Sequence, residues 1–168
     1  MKKNGVIGGL LLAGLMIGTF YLSFAGLTPL QIWLIKFVTI GVFLCFFLIT
    51  LRGQKSFFSY HDARRTSFFA VGVMALGIGL FNMIYFKWIN PEFLLENINY
   101  NVEEMRKEGR SALEIEEMVD KYKFWMSPYM YGIQKFIAHL LIGLLLAFMN
   151  SYIIGDRSGK PAEAPETI

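Results

Sequence analysis

Four stretches of this chain stay apolar for about twenty residues each, roughly Val6–Phe24, Leu30–Leu51, Ser67–Trp88 and Tyr129–Ile154. A helix needs about that length to cross the hydrocarbon of a bilayer, where every backbone N–H and C=O must be paired internally. One segment, Pro91–Ser127 between the third and fourth stretches, is too polar to enter a bilayer and too regularly patterned to be a linker. The expected fold is therefore all-α: a polytopic membrane protein with four transmembrane helices and an extramembrane helical hairpin between spans three and four. In domain terms, residues 1–154 form the transmembrane bundle with the hairpin inserted at 91–127. Residues 155–168, rich in Pro, Gly, Ala and Glu, read as a disordered cytoplasmic tail.

Composition agrees with that division. Hydrophobic residues make up 55% of the chain and charged residues 17%, a balance displaced from soluble domains towards membrane proteins. The formal charge of +3 hides an asymmetry. Pro91–Ser127 holds nine acids and five bases, a net of −4, which leaves +7 for the rest. Those bases flank the spans, so they are assigned to membrane orientation and not to nucleic acid. Cys45 lies within the second span, where it has no intrachain partner and reads as a small hydrophobe.

Ser23-Phe24-Ala25 after the first apolar run resembles a leader cleavage site. The run itself, however, exceeds the length usual for a leader's apolar region, so a retained span is expected. Lys2 and Lys3 precede the first span, Arg52, Lys55, Arg64 and Arg65 follow the second, and Arg157 and Lys160 follow the fourth. The loop Ala25–Pro29 carries no charge. The positive-inside rule then places both termini inside and the 91–127 hairpin outside, which in a bacterial inner membrane means the periplasm.

The hairpin is patterned like a soluble element. Asn90-Pro91 forms an N-cap and first helical position, and Leu94, Ile98, Val102 and Met105 repeat on one face. Gly109 can end that helix in the left-handed conformation. Ser111 and Glu114 form a capping box for a second helix with the stripe Ile115, Val119, Tyr122 and Met126. Ser127-Pro128 separates it from the last span, although a kinked continuation would also fit. Tyr122, Phe124 and Trp125 suit an interfacial aromatic belt.

Lys36, Lys87 and Lys135 fall near the outer span ends. They are either anchors snorkelling towards lipid phosphates or a basic cluster beneath the acidic hairpin that binds anionic headgroups. His139 shares a face with Lys135 and Asn150, and a count from Pro128 places it near mid-bilayer, with Asn82 of the third span as a possible partner. No Asp or Glu occurs within the four spans, which lowers the expectation of ion- or proton-coupled transport. Small residues line several helix faces: Gly5, Gly9 and Ala13; Gly14 and Gly18; Gly72 and Gly79. They serve intramolecular packing or pairing between copies. With two histidines and one cysteine, no metal site or catalytic motif is expected, and no cofactor.

The stretch Tyr85-Phe86-Lys87-Trp88-Ile89-Asn90-Pro91-Glu92-Phe93, the Glu- and Met-rich hairpin, and Phe124-Trp125-Met126-Ser127-Pro128 leading into the last span are distinctive. Together with the opening Met1-Lys2-Lys3-Asn4-Gly5, they resemble the domain of unknown function 4199 family, found mainly in Bacteroidota. The resemblance covers nearly the whole chain. It implies a four-span bacterial inner-membrane protein and carries no activity or functional residues with it. The expected function is non-enzymatic. The protein would assemble with a partner protein or membrane lipid through a hairpin surface that includes Glu103, Glu104, Glu108, Glu114 and Glu117, and a homo-oligomer is also possible. The alternative is a small transporter or channel element whose polar path is lined by Lys36, Lys135, His139 and Asn82.

Overall fold

The structure is a computed structural model of the chain and describes residues 2–21, 27–54 and 58–155. The proposed cleavage-like site, Lys55, and the tail beyond Gly155 lie outside the described residues. All regular elements among the described residues are helical: α1 (Lys2–Phe20), α2 (Pro29–Gly53), α3 (Tyr60–Ile84), α4 (Glu92–Lys107), α5 (Ala112–Trp125) and α6 (Pro128–Ile154). A π-helical turn, Tyr85–Ile89, continues α3. Four helical stretches, Lys3–Phe20, Pro29–Gly53, Tyr60–Ile89 and Pro128–Ile154, are long and apolar enough to cross a membrane. The chain divides into two compact units, Met1–Gly77 with Ala138–Ile168, and Ile78–Ile137.

In the first unit, α1 and α3 approach through glycine. A Cβ placed on Gly9 would lie 2.6 Å from both the Ala70 carbonyl oxygen and Val73 Cβ, and one on Gly5 would lie 2.7 Å from Phe69 Cβ. Ala13 continues this face, against Gly77. Gly8 meets the Phe47 ring of α2, and Gly143 of α6 accommodates Val71 and Met74 of α3. Around these approaches lies a core of Leu12, Met16, Ile40, Leu44, Val71, Met74 and Leu146. Leu48, Leu51, Phe58, Ala63 and Ile154 close one end. Large apolar side chains point outward along every span, Leu10 (61% exposed), Phe46 (68%) and Leu141 (63%) among them, as lipid-facing side chains do.

The third helix starts seven residues before the apolar run that marks it. Ser59 Oγ accepts a hydrogen bond from the Asp62 amide at 3.1 Å, and the polar turn that follows is held by fully buried Ala63. Hydropathy marks where a helix changes solvent and not where it begins.

The second unit is organised on Phe86, which is 1% exposed. Its ring stacks on Phe93 of α4 with centroids 5.2 Å apart and meets Tyr131 of α6 edge-on at 4.9 Å. The π turn delivers it there: the Asn90 amide donates to the Tyr85 carbonyl at 2.8 Å, one residue further back than in an α-helix. Asn90 Oδ1 accepts from the Phe93 amide at 3.2 Å, so Asn90 caps α4 although the helix is assigned from Glu92. Gly109, with φ +75°, ends α4, and the Arg110 and Gly109 amides bond back to Met105 and Arg106. Both halves of the Ser111–Glu114 capping box are present. The α4 stripe buries Leu94, Ile98 and Met105, with Val102 half-buried. Ile115, Val119 and Tyr122 of α5 and Met126 just beyond it are only half-buried, and that helix has no fully buried residue. Ser127 accepts from the Met130 amide and so starts α6 as a separate helix. Within the same unit, Gly79 of α3 packs against Gly132 and Phe136 of α6.

These glycines are not equivalent. Gly14, Gly18 and Gly72 have no atom within 4 Å of an added Cβ. Gly9→Ala should therefore destabilise the protein by about 1–3 kcal/mol through overpacking, while Gly14→Ala should stay within about 0.5 kcal/mol of the parent. Thermal unfolding in mild detergent compares the two; equal losses would contradict the α1–α3 approach.

Candidate functional site

Lys36, Lys87, Lys135, His139 and Asn82 each make a contact in the structure. In the first unit, Lys36 Nζ lies 5.6 Å from the centre of the Trp33 ring, within cation–π range. Trp33 stacks on His139 with centroids 5.7 Å apart and planes 30° apart. His139 is 2% exposed. Trp33 is only one turn into α2, so His139 sits closer to the N-terminal end of α2 than a count along α6 alone implies. At the other end of the same two helices, Arg52 Nη1 donates to the Ile154 carbonyl at 3.0 Å. Between these contacts lie roughly 28 Å of α2 and roughly 22 Å of α6 at the helical rise. That interval fits the hydrocarbon thickness.

In the second unit, Asn82 is buried and its amide donates to the Ile78 carbonyl of its own helix at 2.8 Å. Lys87 donates to the Tyr129 hydroxyl and lies 4.8 Å from the Trp88 ring. Lys135 lies 4.6 Å from the Tyr131 ring. All three lysines of the candidate cluster thus rest on interfacial-type aromatics. Aromatic partners of this kind were not assigned from the sequence, because Trp33, Tyr129 and Tyr131 lie three or four residues, or another helix, away from the bases they meet.

The acidic candidates divide by role. Glu104 pairs with Lys107 at 2.8 Å and Glu108 with Arg110 at 3.1 Å. The Glu104 carboxylate, helped by the charge of Glu103, holds the Lys107 ammonium above its ordinary range. Glu114 is a cap: its Oε2 accepts from the Ser111 amide at 2.9 Å and from the Ser111 hydroxyl at 2.8 Å. Those bonds favour the carboxylate and hold its pKa below the ordinary glutamate range, with the Arg110 charge assisting. Glu103 and Glu117 are exposed, and among the described residues neither makes an ion pair. By helical phase, Glu117 and Asp120 lie on the opposite side of α5 from Met118, Tyr122 and Trp125.

That second side of α5 forms a groove with the start of α6, of about 360 Å³, lined by Met118, Lys121, Tyr122, Trp125, Met126, Tyr131 and Gln134. Two of its aromatics, Tyr122 and Trp125, are expected from the sequence in an interfacial belt, but the groove itself is not, because it forms only where the end of α5 meets the start of α6. Another shallow groove, of about 480 Å³, runs along Leu10, Gly14 and Gly18 beside Phe43.

Four helical stretches long and apolar enough to cross a membrane define the class: a polytopic helical membrane protein. Residues 3–155 match the family described as "Protein of unknown function (DUF4199)", and the chain belongs to it. No curated protein and no solved structure matches the chain.

The Glu114 cap has a pH signature. A carboxylate whose folded pKa is lowered stabilises the fold above its unfolded value, and that contribution is lost as pH falls through the folded one. The first turn of α5 should loosen below the ordinary glutamate range, as read by backbone chemical shifts of residues 111–115. Glu114→Gln should make those shifts independent of pH; an identical acid response in the variant would show that another group is responsible.

Proposed function

We propose that this protein is a non-enzymatic four-span component of the bacterial inner membrane that acts by assembly. Both termini lie inside, and the α4–α5 hairpin is presented to the periplasm as a docking surface for a partner protein with a basic face. The observation that carries this reading is the composition of the hairpin's outer side. Helix α5 buries no residue, and Leu113 (68% exposed) lies beside Glu117, while α4 presents Tyr100 and Glu103 away from its buried stripe. Leu113 and Tyr100 add exposed apolar area to these acidic faces. Apolar contacts ringed by charge are the composition of a transient interface. Glu103 and Glu117 supply the complementarity, since Glu104, Glu108 and Glu114 are committed within the hairpin.

The test is native mass spectrometry of the chain extracted at endogenous levels in mild detergent, beside the Glu103→Lys/Glu117→Lys double variant. The parent should carry a stoichiometric protein partner and the double variant should lose it. A parent without a partner, or a partner retained undiminished by the variant, would overturn the reading.

A further inference from the structure

We propose that the groove between α5 and the start of α6 binds one anionic phospholipid, with an acyl chain against Met118, Tyr122, Trp125, Met126 and Tyr131 and the phosphate at Lys121. The inference concerns the face of α5 opposite the acidic one and stands independently of partner docking.

The walls are of the right kind for a chain. Two methionines adapt to irregular apolar shapes, and three aromatics offer flat surfaces with a polar group at one end. At about 360 Å³, the groove is within the range of single small-ligand sites. No carboxylate lines it, although the hairpin as a whole is acid-rich. Lys121 is its one lining base, and Lys135 sits 4.6 Å from the ring of Tyr131, which forms one wall. One lining ammonium group and no lining carboxylate therefore mark a groove on a segment, Pro91–Ser127, of net charge −4. That placement favours a phosphate there and disfavours an acidic peptide. Gln134 Nε2 donates to the Trp125 carbonyl at 3.0 Å, which pairs a backbone acceptor beside the apolar walls.

The occupant follows from where the groove is built. Tyr131 and Gln134 belong to the first turns of α6, a helix apolar enough to cross a membrane. Lipid surrounds such a helix at a concentration that no soluble ligand approaches. Trp and Tyr with lysine at the rim are the residues that meet headgroups at the edge of a bilayer. Within an anionic leaflet, each base near the surface adds about a fivefold preference for a charged headgroup.

The experiment is native mass spectrometry of the full chain, delipidated in detergent and titrated separately with phosphatidylglycerol and phosphatidylethanolamine. The parent should hold one phosphatidylglycerol, bound at least about fivefold more tightly than phosphatidylethanolamine. Lys121→Glu should abolish that preference while leaving thermal unfolding of the lipid-free protein unchanged. Met118→Trp, which fills the groove, should remove the bound lipid altogether. If Met118→Trp fails to fold, Lys121→Glu alone decides. Equal binding of the two lipids by the parent, or an unchanged preference in Lys121→Glu, would overturn the proposal. So would inorganic phosphate at millimolar concentration displacing the lipid completely, since that would assign the site to the anion alone.

Discussion

Leucine gains almost nothing by moving from lipid to the surface of another helix, so apolar burial cannot by itself hold helices together in a membrane. What brings them together is close backbone approach, and in this chain that approach is made at a few glycines. Gly5 and Gly9 let α1 lie directly on α3, and Gly143 lets α6 receive Val71 and Met74. In the other unit, Gly79 and Gly132 do the same for the remaining parts of α3 and α6. The dispersion contacts around these points, among Leu12, Met16, Ile40, Leu44 and Met74, exist because the backbones are already near. Elsewhere the helices turn large apolar residues outward, which is stable only in lipid.

The second constraint is the handling of charge. Trp33, Tyr129 and Tyr131 each carry a lysine over or beside the ring, which gives a cation a favourable neighbour where the solvent changes. His139 is held against Trp33 and Arg52 against the last carbonyl of α6, so polar groups fasten α2 to α6 near both ends of an interval about as long as the hydrocarbon is thick. Helices α4 and α5 handle charge differently. There Glu104, Glu108 and Asp120 pair with neighbouring bases and Glu114 caps α5, while Glu103 and Glu117 stay exposed.

Much of the architecture was legible because span length is a property of the whole apolar run and survives errors at single residues. Caps were legible for another reason. Gly109 and the Ser111–Glu114 box act over three or four residues, within reach of sequence spacing. The start of α3 was not legible from hydropathy, since Tyr60–Thr66 is polar yet helical, and the signal was the Ser59–Asp62 cap. Nor could sequence decide between small-residue faces. Gly9 and Gly14 have similar spacings to their neighbours, but only Gly9 has Ala70 and Val73 opposite it. The expected link between His139 and Asn82 rested on counting residues from helix starts. Within its own unit His139 stacks on the Trp33 ring, and within the other Asn82 bonds the Ile78 carbonyl of its own helix. The groove at Met118 and Tyr131 depends on the angle at Ser127-Pro128, which no residue pattern encodes.

The central claim is that four helices cross the membrane with α4 and α5 outside. Cysteine accessibility in intact cells tests it most directly, with Cys45 replaced by alanine and single cysteines placed at Glu103 and at Arg64. A membrane-impermeant maleimide that has passed only the outer membrane should label Glu103→Cys at once and Arg64→Cys only after the inner membrane is opened. Labelling of both positions from the same side, or of Arg64→Cys alone, would contradict the account.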